Sequence, residues 1–503
     1  MDTLLRRAPL VMVPLRPGHV VRKTVSVGRT PDNDCKFVAL WRRALKLPSL
    51  AELTPELVAA WAAQHGTELK NVEQTEVGSF VKTPALVVVL SNGFRGYLPK
   101  VPVEHYPPWD GRREAYEQRT ELSRKLEWFE PLWIPRGRVE EMLKDARGCD
   151  ADRAQELFNY HTSTIYTMPF QAVCVAQVIP KCRSLSEFVP LVREAFLAFY
   201  GGYRAASIAA LIPLVEGAIK RIARYVSGQR LSTVDAVDKA IDSAINKASS
   251  LYFQDSWAPR EYQTVSYLMS LDQRVYAFET FRRWLHEEFF ENTGEYSGST
   301  WLNRHLFAHG VSASWQQASN FRRLIVAITT LGVIESWGTE ANGVSLFFPE
   351  MNKDAHLLWQ EALFRAESQG ILNRIAEKRY HEHGRLVPEM PTDDGGTLRK
   401  AILAEDCISD LVRPLRDAGW SVDVDEPEQS GLYMTLRASS GSTKFGLALL
   451  YSCATANETY KMLAKDAEAI LYRGAPYHQE QYAYGLDIHV GPVTGWQPPT
   501  PPD

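Results

Sequence analysis

The sequence predicts an α+β multidomain protein, with a mainly α-helical bundle at the centre, a mixed α/β domain before it and a small α/β domain after it. Three observations carry this expectation. The chain has 503 residues, too many for one hydrophobic core. Apolar residues recur at helical spacing in five stretches between Ser186 and Ile334, with no strand pattern between them. Short β-branched runs closed by Gly or Asn-Gly lie in the segment before this region, and the segment after it reads helix, three strands, helix, strand.

Hydrophobic residues make up 45% and charged residues 23%, which places the chain among globular rather than disordered proteins. The net charge of −4 argues against a nucleic-acid coat protein, so any nucleic-acid contact has to come from a local basic patch. The cysteines Cys35, Cys149, Cys174, Cys182, Cys407 and Cys453 are scattered and form no C-x-x-C pair. That spacing implies neither a disulfide framework nor a zinc site, and predicts reduced, mostly buried thiols. The start of the chain lacks the apolar stretch and cleavage site of a signal peptide. The longest apolar segment, Ala205 to Ile219, is interrupted by Pro213 and Glu216 and is too short for a bilayer. The expectation is a cytoplasmic protein without membrane contact.

Residues 1–150 read as the mixed α/β domain. Thr24–Val27 and Ala85–Leu90 have strand character, and Thr54-Pro55 opens a helix with a capping hydroxyl and a first-turn proline. Pro102–Pro108 reads as irregular. Val27-Gly28-Arg29-Thr30-Pro31-Asp32-Asn33-Asp34 resembles the Gly-Arg turn of phosphothreonine-binding FHA domains. The Ser-x-x-His that should follow is missing, so a polar turn is expected. Residues 151–385 form the helical domain, with helices expected over Ser186–Phe199, Ala205–Val226, Val234–Leu251, Val275–Phe290 and Ser314–Ile334. Residues 386–396 have linker composition. Residues 397–495 read helix (Leu398–Ala418), three strands (Ser421–Asp425, Leu432–Arg437, Lys444–Leu450), helix (Glu458–Leu471) and strand (Leu486–Val490). The proline-rich tail, 496–503, is expected to be disordered.

One run carries chemistry: Trp301-Leu302-Asn303-Arg304-His305-Leu306-Phe307-Ala308-His309-Gly310. At about 100° per residue, His305 and His309 share a helix face one turn apart, and Arg304 lies within reach of it. All three side chains can address one phosphate. Gly310 ends the helix, leaving His309 at its C-terminus, where the helix dipole favours the protonated form. Ser314 and Gln317 have capping-box spacing for the next helix, whose apolar stripe is Leu324, Ile325, Ile328 and Leu331. On an earlier helix, Glu216 interrupts an apolar face and is followed by Lys220, Arg221 and Arg224, a local source of positive charge. Arg374 and His381 repeat the spacing loosely, but Ile375 stands where a polar residue belongs, so that pair reads as part of a solvated helix.

Arg304, the polar His305 and His309 resemble the R-x4-6-H signature of HEPN domains, over a region from near Ala195 to Trp337. The resemblance implies metal-independent RNA cleavage with the substrate's own 2′-hydroxyl as nucleophile, and no cofactor. It assigns His309 as general acid/base, Arg304 as phosphate clamp and His305 as an orienting or second proton-transfer group. Glu216 and Asn303 become supporting residues, and Lys220, Arg221 and Arg224 RNA-binding ones. The implied partners are RNA, tRNA among the candidates, a second copy of the chain joined through this domain, and a regulatory protein. The alternative is a non-catalytic HEPN-type module that binds nucleotides or proteins in a regulatory or structural role. The C-terminal element order resembles the core of PD-(D/E)xK nucleases without the acidic-x-Lys pair, and also double-stranded-RNA-binding domains. A scaffold or partner-binding domain is the preferred expectation there.

Overall fold

A computed structural model of the chain describes residues 31–78, 81–104, 107–134, 136–339, 343–345, 347–382, 395–428, 430–453, 455–473 and 482–501. It is an α+β protein with a helical centre and two small sheets. The chain divides into two compact units, each described here by itself.

The first unit comprises the described part of Met1–Glu104 together with Ser250–Tyr262. It holds α1 (Pro31–Ala44), α2 (Pro55–Gln64) and an antiparallel sheet of β1 (Leu69–Val77), β2 (Thr83–Leu90) and β3 (Arg95–Pro99). Thr54 caps α2 by accepting from the Leu57 amide, as the Thr-Pro pair predicts. Gly96 on β3 is required by packing, because a Cβ there would come within 2.6 Å of the Phe37 ring on α1. Phe37 in turn stacks on Trp257 at 5.3 Å between ring centroids, and Trp257 bridges to Gly96. The expected strand at Thr24–Val27 and the Gly-Arg turn at 28–30 lie outside the described residues, whereas Pro31–Asp34 open α1.

This unit closes at Glu104, short of the boundary at 150 that composition suggested. Residues 107–146 are two helices of the second unit, α3 (Pro107–Lys125) and α4 (Arg136–Ala146). Both are strongly polar, so their few apolar residues show no clear period.

The second unit continues with α5 (Ala151–Ile165), α6 (Met168–Val173), α7 (Val189–Tyr200), α8 (Arg204–Ser227), α9 (Thr233–Tyr252), α10 (Val265–Leu268) and α11 (Gln273–Trp284). Then come α12 (Arg304–Ala308), α13 (Ala318–Thr339) and α14 (Lys353–Glu382). α13 is the hub: every residue from Phe321 to Glu335 except Arg322 is buried, and α8 packs along it. A helix that is apolar on all sides belongs inside a bundle. It starts at Ala318 rather than Ser314. Gln317 turns its amide to the Ser299 carbonyl instead of closing a capping box, and Ser314–Gln316 form a 3-10 turn. Arg374 and His381 fall in α14, where their side chains lie outside what is described.

The C-terminal part of this unit has α15 (Gly395–Cys407), a π-turn at Ile408–Val412, α16 (Arg413–Asp417) and a five-stranded sheet. Its strands are β4 (Ser421–Val424), β5 (Tyr433–Ser440), β6 (Thr443–Leu450), β7 (Ala469–Tyr472) and β8 (His489–Pro492), paired in that order. The first three are antiparallel, and β7 and β8 are parallel to β6. The helix expected over Glu458–Leu471 is only α17 (Asn457–Leu463), because Ala469–Tyr472 is a strand buried on both faces. A four-residue apolar run of that kind has no alternation and reads like a continuing helix.

The tail is ordered to residue 501, against expectation: Trp496 packs on the core, and the Trp420 indole donates to the Pro499 carbonyl at 2.7 Å. Of the linker expected at 386–396, residues up to 394 lie outside the described residues and Gly395 already opens α15. Cys174, Cys182, Cys407 and Cys453 are buried thiols, while Cys35 is exposed. Among the described residues no helix is long and apolar enough to cross a membrane.

Candidate active site on the α12 turn

The site begins with a buried asparagine. Asn303 is fully buried, and its side-chain oxygen accepts from the amides of His305 and Leu306, capping α12. Its amide donates at 2.7 and 2.9 Å to the carbonyls of Glu288 and Glu291. Glu288 lies in a π-turn, Leu285–Phe289, that extends α11. A π-turn releases carbonyls from the helical ladder, and here Asn303 takes one of them. The motif turn is thereby fixed to the end of α11.

A second anchor precedes it. Glu127 accepts from the amides and hydroxyls of Ser299 and Thr300 and from the Tyr296 hydroxyl, between 2.5 and 3.1 Å. Both Glu127, at φ 47°, and Trp301, at φ 56°, adopt the left-handed conformation. Such backbone strain persists only where surrounding bonds over-determine it, as five donors on one carboxylate do. Burial raises the Glu127 carboxyl, but these donors and the Arg323 charge outweigh it and hold it below the usual range.

α12 is one short helix, with His309 as its C-cap and Gly310 at φ 63°, so the glycine stop falls where the sequence places it. Leu306 points into the core, while Arg304 and His305 are half-buried and His309 is exposed. The His305 and His309 rings lie 6.4 Å apart and nearly parallel. The Arg304 guanidinium reaches back to α8, where Nε donates to Glu216 Oε2 at 2.7 Å. Lys220 donates to the other Glu216 oxygen at 2.6 Å, and the Thr233 hydroxyl at 3.2 Å. Burial pushes the Glu216 carboxyl up, but the Lys220 hydrogen bond and the Arg304 charge outweigh it and keep it ionised.

This ion pair is worth little as stability, about 0.2–1 kcal/mol for exposed pairs. Its consequence is orientation. With Nε engaged, the terminal nitrogens of Arg304 remain for a ligand, and Nη1 stands 3.5 Å from His305 Nδ1. Burial, then the neighbouring Arg304 charge, holds the His305 imidazole below its usual pKa. His305 is therefore neutral near pH 7. With Nδ1 facing a guanidinium, its proton belongs on Nε2.

The predicted basic residues separate. Lys220 joins the motif through Glu216, whereas Arg221 bonds the Ser184 carbonyl at 3.1 Å, pairs with Glu187 and covers the Phe188 ring. Arg224 lines a different cavity, with Arg183 and Tyr225. Glu127 and Glu288 carry no local sequence signal, because their partners lie far away along the chain. Glu288 is pushed up to about 8, first by burial and then by the Glu127 charge.

A carboxyl whose folded pKa exceeds its unfolded value favours folding most below the unfolded pKa, and that contribution is lost as pH rises through the folded one. Glu288 should therefore cost roughly 4–5 kcal/mol of stability between pH 4 and 9. Glu288→Gln is expected to raise the urea midpoint at pH 8.5 and leave it nearly unchanged at pH 4.5. Equal midpoints at both pH values would show that Glu288 is not held neutral.

No family model, curated protein or solved structure matches the chain.

Proposed function

We propose that the protein is a metal-independent endoribonuclease of the toxin or antiviral-defence kind, acting through the HEPN-like motif Arg304, His305 and His309. The observation that supports this reading is their placement on one accessible turn, with Arg304 aimed by Glu216 at 2.7 Å and adjacent to His305. Cleavage by an internal nucleophile needs a cation against the extra charge of the phosphorane, and a proton carrier near neutral pH. Arg304 offers a planar fork of donors, neutral His305 an outward N–H, and exposed His309 the proton-transfer group. The 2′-oxygen attacks phosphorus and the P–O5′ bond breaks. The 2′-hydroxyl proton is removed and the 5′-oxygen receives one, leaving a 2′,3′-cyclic phosphate and a 5′-hydroxyl.

In this reading the protein acts in the cytoplasm on RNA, tRNA among the candidates. A second copy brings another motif to the same cleft, and a regulatory partner restrains the activity. The test is incubation of total RNA with the full chain in excess chelator: cyclic-phosphate ends are expected, and intact RNA under all conditions would sink the proposal. The pH dependence follows from His305. Acidification protonates Nδ1 and sets two cations side by side, so the rate should fall on the acid side. By NMR, His305 should titrate below the usual imidazole range and move upward in Arg304→Gln. A normal titration in the unsubstituted protein would remove the neutral-donor role.

A further inference from the structure

Two turns along α8 from Glu216 lies a cationic groove that the motif does not use. It has a volume of about 470 Å³ and is lined by Arg183, Glu187, Arg221, Arg224, Tyr225 and Gly228. Three guanidinium groups face one carboxylate, and that carboxylate is already paired with Arg221. The Arg183 guanidinium carbon lies over the Tyr225 ring, 4.2 Å from its centroid, and that of Arg221 over Phe188 at 4.6 Å. Arg183 and Arg224 are both exposed.

The wall carrying Arg183 is rigid. Glu335 on α13, fully buried, accepts from the Arg183 amide at 2.8 Å, from the Ser184 amide at 3.0 Å and from the Ser184 hydroxyl. A buried carboxylate spent on holding a surface turn in place is what a preformed binding wall requires.

Arg183 and Arg224 have no carboxylate partner among the described residues, and guanidinium groups of that kind beside an aromatic ring suit one ligand chemistry: phosphodiesters joined to flat bases. Lys220 and Arg224 follow Glu216 on the same helix, and the eight residues from 216 to 224 rise about 12 Å. That is about the span of two nucleotides of extended single strand.

We propose that this groove is a single-stranded RNA track, in which Arg183 and Arg224 hold backbone phosphates and a base packs against the Arg183–Tyr225 pair two nucleotides from the bond being cut. The proposal rests on the ribonuclease reading for its orientation toward α12, though the groove can bind RNA whether or not the motif cleaves it. Arg183, Arg224 and Tyr225 are positioning residues.

The experiment measures anisotropy of a fluorescent, 2′-O-methylated decaribonucleotide, which can bind but cannot be cut. Arg183→Ala/Arg224→Ala should weaken binding about tenfold or more at 100 mM salt. It should also flatten the slope of log Kd against log salt by about 1.4, two contacts at 0.7 each. Arg183→Lys/Arg224→Lys should recover the salt slope without the full affinity, because lysine keeps the charge and loses the planar stack. On a cleavable substrate, the alanine pair should raise KM while kcat changes little.

Unaltered affinity and salt slope in the alanine pair would overturn the track, and would leave the groove to an acidic protein segment instead. Tight, groove-dependent binding by a chain that cuts no RNA would sink the nuclease reading and leave the track standing.

Discussion

If the proposed cleavage holds, His309→Ala is expected to reduce it by about 10²–10⁴-fold, the loss seen when a positioned acid/base is removed. Arg304→Ala is expected to reduce it by about 10²–10³-fold, through lost stabilisation of the phosphorane charge. Combining them costs little more than the larger single effect, because groups acting on one transition state are not additive. Neither change should unfold the protein. His309 is exposed, and when Arg304 is removed Glu216 keeps its Lys220 and Thr233 partners. Single-turnover cleavage of a defined hairpin, with circular dichroism as the control for folding, reads both effects. Full-rate cleavage by the double variant would place the chemistry elsewhere.

Helices α7, α8, α9 and α11 were legible because each carries an apolar stripe over at least three turns, and burial is what that stripe encodes. The motif turn was legible for a local reason: Arg304, His305, His309 and Gly310 fall within seven consecutive residues. Glu216 could be singled out because a charge on an apolar helix face needs a partner. What holds the turn in place was not legible. Glu127 meets Ser299 and Thr300 from about 170 residues away, and nothing in Leu126-Glu127-Trp128 distinguishes that carboxylate from one on the surface. Asn303 was singled out only as a supporting residue, because its bonds depend on a π-turn that no periodicity announces. The strand at 469–472 and the ordered tail were missed for a related reason. Both are decided by what a segment packs against rather than by its own pattern.

Because the anchors act at a distance, a substitution outside the motif should silence it. Glu127→Gln keeps the size of the side chain and removes its charge. Five donors then face an amide that offers them only one oxygen, and its NH2 is pushed among N–H and O–H groups with nothing to accept it. Arg323, fully buried nearby, loses a carboxylate charge that helps to offset its own burial. Tm should fall, by about 1 °C for each kcal/mol lost in a chain of this size. Native protein at 20 °C should still show weaker cleavage, because residues 296–303 are no longer held in the strained path that delivers Asn303 to its cap.

The pH dependence supplies a separate readout. The Glu127 carboxyl is held below the usual range, so its contribution is present above the unfolded pKa and lost as pH falls through the folded one. Acid unfolding should therefore be less steep in Glu127→Gln. The Glu127 charge also helps to raise Glu288 from the usual carboxylate range to about 8, so Glu288 should titrate lower in the variant. A variant that melts with the unsubstituted chain, cleaves at its rate and leaves the Glu288 titration unmoved would mean that Glu127 does not anchor the turn. The placement of Arg304 and His309 would then have to come from the α12 cap alone.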